Sequence, residues 1–156
     1  MARLAGVVAA LALVLAIVFH SLSRPTRAPE AGPRLHTLVI ETEHGPVELK
    51  VELATTPEAW SRGLMFREHL PEDQGMLFIF PEAQGSPFWM KNTWIPLSIA
   101  FADQNGVILR ILDMEPCEED PCPSYYPGVA YRQALEVNQG WFERHGVKEG
   151  DRFWLK

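Results

Sequence analysis

Val47-Glu48-Leu49-Lys50-Val51-Glu52-Leu53 decides the fold class of this chain. Apolar and charged residues alternate through all seven positions, the pattern of a strand with one buried face and one wet face. Upstream, Leu38-Val39-Ile40 opens a partner strand, and Glu43-His44-Gly45-Pro46 is the turn of a hairpin. Downstream, Thr55-Thr56-Pro57-Glu58 starts a helix: threonine caps it, proline fits the first turn, and the glutamate favours the positive end of the dipole. That helix should run through Ala59, Trp60 and Arg62 and stop near Gly63. Four apolar stretches follow, Met76–Phe80, Phe88–Asn92, Leu97–Ala102 and Val107–Met114, with Asn105-Gly106 as the hairpin signal between the last two. Residues 115–130 form a Pro- and acid-rich loop. Ala134–Val137 is a strand, Trp141–His145 a short helix or turn, and Phe153–Leu155 a closing strand. These elements predict a mainly β domain. Its form is a small barrel or curled sheet of seven or eight short strands, with one or two short helices packed over an open end.

The chain has 156 residues, 47 % apolar and 22 % charged, which is ordinary globular composition. Its formal net charge is −6 and its basic residues form no stripe, so nucleic acid is not an expected partner. Leu4–Phe19 is an unbroken apolar run behind Arg3. Sixteen helical residues span about 24 Å, short of the roughly 30 Å hydrocarbon core, which suits a signal peptide better than a permanent span. Ser21 and Ser23 would flank a cut after residue 23, but Arg24-Pro25 follows at once, so an uncleaved anchor stays open. The expected organisation is a signal peptide or anchor over 1–23, a Pro-rich tether over 24–34, and one β-rich domain over 35–156. The expected location is outside the cytoplasm: periplasmic, secreted or membrane-anchored.

Five residues stand out as polar or amphipathic groups inside apolar stretches: Arg62, Trp89, Lys91, Asn92 and Glu136. On a regular strand Phe88, Met90, Asn92 and Trp94 would share one face, and Trp89, Lys91 and Thr93 the other. One reading makes these a ligand site, with an aromatic platform, an ammonium and an orienting amide. The other has Lys91 snorkel to solvent and Asn92 close a turn before Pro96. Arg62 and Arg67 flank Gly63-Leu64-Met65 and suit either helix capping with an ion pair or an anionic ligand. Glu136 points away from Leu135 and Val137 and is the expected ion-pair partner. Trp60 and Trp141 are expected in the core.

Cys117 and Cys122 are the only cysteines. An even count in an exported chain reads as a disulfide. A metal pair and a catalytic thiol are the alternatives, though no histidine lies near and the intervening acids would raise the thiol pKa. No nucleophile elbow, zinc-protease, phosphate-loop or dinucleotide motif occurs, and no metal or cofactor is expected.

Three blocks resemble the domain of unknown function 192 family. They are Arg62-Gly63-Leu64-Met65-Phe66-Arg67; Gly75–Phe80 followed by Phe88-Trp89-Met90-Lys91-Asn92-Thr93; and Leu135-Glu136-Val137-Asn138-Gln139-Gly140. The resemblance implies a small β-rich domain, often behind an export signal, and no settled activity. Ser98 stands where the family generally shows an aspartate, so a role of that carboxylate would be lost here. The expected function is a non-catalytic, envelope-associated binding or accessory domain with an envelope glycan or peptide as ligand. A membrane contact through the N-terminal segment is expected if it stays uncleaved. The alternative is a small envelope hydrolase or transferase with a pocket around Arg62, Lys91 and Glu136.

Overall fold

The computed structural model describes residues 32–156. The apolar leader and most of the tether lie outside the described residues. From Pro33 to Lys156 the chain is one compact unit. Its elements are β1 (His36–Thr42), β2 (Gly45–Ala54), α1 (Pro57–Arg62), β3 (Gln74–Gln84), β4 (Phe88–Trp89), β5 (Leu97–Ala102), β6 (Ile108–Met114), β7 (Ser124–Tyr125), β8 (Tyr131–Asn138), α2 (Trp141–Arg144) and β9 (Arg152–Leu155). Seven strands form one sheet in the order β6-β5-β8-β3-β2-β1-β9, and β4 pairs with β7 in a separate two-stranded piece. Only β2 and β3 run parallel, joined by the α1 crossover; the other pairs are antiparallel.

The alternation in β2 sets the two faces. Leu49 and Val51 are buried, with Val47 and Leu53 packed beside them, against Leu38, Ile40, Leu77, Leu135, Val137, Ile108 and Phe153. That one cluster takes residues from both edge strands, β6 and β9, so it is the inside of a curled sheet. Trp141 and Phe142 of α2 belong to the same cluster. Each fully buried aliphatic or aromatic side chain contributes about 1.5–3 kcal/mol of transfer free energy. The sheet comes together at one end, where Ile108 N donates to Asp151 O (2.8 Å), Gly150 N to Ile108 O (2.8 Å) and Phe153 N to Gly106 O (3.0 Å). Gly106 has φ +80, and a Cβ there would lie 2.0 Å from Phe153 O, so only glycine fits this approach. The Asn105-Gly106 turn is thus present, in a five-residue bend where Asp103 Oδ1 accepts from Asn105 N (2.8 Å) and Val107 N (3.0 Å).

The other face is covered too. Met76, Phe78, Ile99, Phe101, Ala134 and Tyr131 lie under Leu64, Leu70, Met90 and the partly buried Trp60 and Phe88. This second cluster positions the site. α1 is as predicted: Ala59 N donates to the Thr56 hydroxyl (3.3 Å), Pro57 opens the helix, and Gly63 ends it at φ +47. Phe88–Asn92 departs from prediction. The strand is two residues long, and Thr93 N donates to Met90 O (3.0 Å), closing a turn in which Asn92 has φ +56. The expected face-sharing beyond Trp89 therefore does not occur. Ser124–Tyr125, which pairs with β4, was not expected.

Candidate ligand-binding site

Glu136 is carried by β8, a strand whose two faces are both covered. Leu135 and Val137 enter the inner cluster, so Glu136 turns to the outer one, beneath α1 and its following turn. It is 5 % exposed. Among the described residues its carboxyl has no hydrogen-bond or ion-pair partner, and burial alone pushes its pKa from 4.5 up to about 8. The carboxyl borders a niche of about 30 Å³, walled by Trp60, Phe78, Phe88 and Trp89, with Arg62 and Thr93 also on its lining. Gly63 lies directly over it: a Cβ there would come 3.4 Å from Phe78 and 3.9 Å from Glu136 Oε2. A wider groove of about 230 Å³ shares Trp60, Ser61, Phe88 and Trp89 with the niche and continues to Phe80 and Tyr131.

The walls are fixed by packing. The Trp60 indole N–H donates to Ala54 O (2.9 Å), and its ring lies 5.0 Å from that of Phe80. Phe88 stands edge-on to Phe78 (5.1 Å) and Phe101 (5.6 Å). The Tyr131 hydroxyl donates to Ser86 O (2.9 Å), which ties down the 84–88 loop. Trp89, by contrast, is 55 % exposed and forms the free lip.

Arg62, Trp89 and Glu136 thus line one cavity. Lys91 and Asn92 do not. Lys91 pairs with Asp120 inside the Cys117–Cys122 loop, and Asn92 supplies the left-handed turn whose carbonyl accepts from Phe66 N (2.8 Å). The segment stitches the cysteine loop to the domain: Cys117 N donates to Thr93 O (3.2 Å), and Cys117 is bonded to Cys122. Glu136 is not the partner of either arginine. Arg67 makes a two-pronged pair with Glu52 (2.5 and 2.6 Å), and Arg62, exposed at the end of α1, makes no ion pair among the described residues. The Glu52–Arg67 pair borders a neighbouring cavity of about 440 Å³ that also reaches Arg62 and Gly63.

Trp60 packs partly buried on the outer core cluster, as expected, and also forms a wall of the niche, and Trp141 is fully buried as expected. Phe78, Thr93 and Gly63 were not singled out; a glycine at a predicted helix stop one residue from Arg62 was the available signal. Ser98 lies on the opposite face from Glu136. It pairs with Val137, donates to the Asp113 carboxylate across the strand and accepts from Gly140 N (2.8 Å). No group of three His, Cys, Asp or Glu side chains suited to a metal occurs among the described residues. No helix among them is long and apolar enough to cross a membrane.

Two solved structures resemble this fold. One, described as a candidate transcription regulator from Sinorhizobium meliloti 1021, shares 33 % identity over 81 % of this chain and 97 % of its own, with a TM-score of 0.72. The other, a protein of unknown function from Novosphingobium aromaticivorans, shares 29 % identity over 85 % of this chain and 93 % of its own, with a TM-score of 0.73. No curated protein matches. Residues 39–155 match DUF192, described as an uncharacterised ACR, and the chain belongs to that family.

Proposed function

We propose that the chain is a non-catalytic, extracytoplasmic domain that binds a small envelope ligand in the aromatic groove over Glu136. One observation carries this reading: Glu136, a residue 5 % exposed whose carboxyl has no partner among the described residues, lines a cavity with Trp60, Phe88 and Trp89. An unpartnered buried polar group costs about 1–3 kcal/mol, more for an ionised one, and nothing in packing requires it. Ligand sites have this build, apolar walls with few convergent polar groups. The location is supported by the apolar Leu4–Phe19 run and by the Cys117–Cys122 bond, since disulfides persist in oxidising compartments.

A hydrolase or transferase reading has one observation in its favour. A carboxyl with a pKa near 8 is poised for proton transfer at neutral pH. The lining offers it no second carboxyl, histidine or cysteine, and Lys91 is engaged with Asp120. Binding is therefore the stronger reading.

A thermal-shift screen with envelope glycan fragments, short peptides and small amines tests it. A ligand at 100 times its Kd should add about 2.7 kcal/mol. Trp89→Ala, at the exposed lip, should abolish that shift without lowering the melting temperature of the free protein. A library-wide absence of stabilisation would remove the proposal. Export is checked separately by a periplasmic reporter fused after residue 35, which should be active.

A further inference from the structure

We infer that the niche over Glu136 receives a primary ammonium group, while Arg62 meets an anionic group of the same small molecule. This rests on the binding-site reading above and names its ligand class. Size is the first ground. A niche of about 30 Å³ has room for a group of water's size, which an ammonium is, whereas a trimethylammonium is several times larger. Chemistry is the second. Glu136 lacks any donor among the described residues, and an ammonium brings three donors and a charge where a hydroxyl brings one donor and none. Trp60, Phe78, Phe88 and Trp89 around it add rings whose negative faces attract cations. The water-poor wall strengthens the charge interaction, and a net charge of −6 favours cation approach.

Arg62 from α1 is the one other charged residue on the niche, and α1, the 63–65 turn, β3, β4 and Thr93 contribute no further titratable group to it. A bare cation would meet Arg62 as a repulsive neighbour. A zwitterion turns that neighbour into a partner, and Arg62 is exposed and without an ion pair among the described residues. Guanidinium recognises carboxylate and phosphate by paired donors. Gly63 keeps the space above the carboxyl clear. Ammonium binding favours the ionised carboxylate, so affinity should fall about tenfold for each pH unit below about 8.

The test is tryptophan fluorescence of the full-length protein titrated with O-phosphoethanolamine, ethylammonium, tetramethylammonium and N-acetylglucosamine at pH 6, 7 and 9. O-phosphoethanolamine should bind saturably at pH 9, with affinity lower by about a hundredfold at pH 6. Ethylammonium should bind about tenfold more weakly and tetramethylammonium not at all. Glu136→Gln should abolish binding of both amines. Arg62→Gln, an exposed change that leaves the fold intact, should reduce O-phosphoethanolamine to the ethylammonium level. Equal affinity at pH 6 and pH 9, or tetramethylammonium binding as well as ethylammonium, overturns the inference. Saturable N-acetylglucosamine binding with silent amines overturns it too, while leaving the groove a ligand site. Silence of every probe overturns the inference as well, and the thermal-shift screen then decides the groove reading by itself.

Discussion

Glu136→Gln separates a carboxyl buried at a cost from one that merely happens to be shielded. Burial holds this group near pH 8, against 4.5 in its ordinary setting. Between those values the folded protein keeps the proton and the unfolded chain has lost it. Stability is therefore full below about pH 4.5 and falls as pH rises toward 8, by at most about 1.4 kcal/mol per unit for one proton. The whole interval corresponds to a ceiling of about 5 kcal/mol. Glutamine has nearly the same shape and stays neutral. Wild type and variant should match near pH 4.5 and diverge in the variant's favour by about 3 kcal/mol at pH 7. Urea unfolding of both proteins at pH 4.5, 6, 7 and 8 measures the difference, and other titrating groups cancel in it. Parallel stability profiles across that range would refute the reasoning, because the carboxyl would then titrate alike in folded and unfolded chains.

Arg67→Met should cost about 3 kcal/mol, because it strands a Glu52 that is 8 % exposed, and Arg67→Met with Glu52→Met should recover most of it by urea unfolding. Lys91→Met should cost less than about 1 kcal/mol with Glu136 untouched, since its partner Asp120 is largely solvated; a larger loss would couple Lys91 to the core. Alkylation without reductant should leave the mass of the protein unchanged, and Cys117→Ser with Cys122→Ser should lower stability by at most about 2 kcal/mol. Gly106→Ala should cost more than about 2 kcal/mol, read as a melting shift, because the new methyl meets the Phe153 carbonyl.

Elements governed by local periodicity were legible in the sequence. The β2 alternation, the Thr56–Pro57 helix start and the Asn105-Gly106 turn each encode their conformation within a few residues, and all three appear. The stretch after Phe88 misled because aromatic content signals a strand as readily as a wall of a second core. Asn92 closes a turn in the left-handed region, as the second reading of this stretch expected, but no residue of Phe88–Met90 announces that the strand stops at Trp89. For the site, the orientation of Glu136 followed from strand alternation, but not its isolation. Whether it meets an arginine depends on where α1 lands after the β2–β3 crossover. Glu52, on the same face, takes Arg67, and Arg62 is left at the mouth. Such choices between two arginines and two glutamates are tertiary and leave no local mark.

The β1–β9 ladder pairs Leu38 with Leu155, nearly the full length of the domain apart. Before β9 arrives, β1 has one open flank, Phe153 is missing from the inner cluster, and the bond from Phe153 to Gly106 cannot form. The sheet can therefore close only once residues 152–155 have left the ribosome, and loop closure of this length makes the step slow. Late closure is a timer. Until those last residues arrive, the rest of the sheet can pair strand by strand but cannot lock.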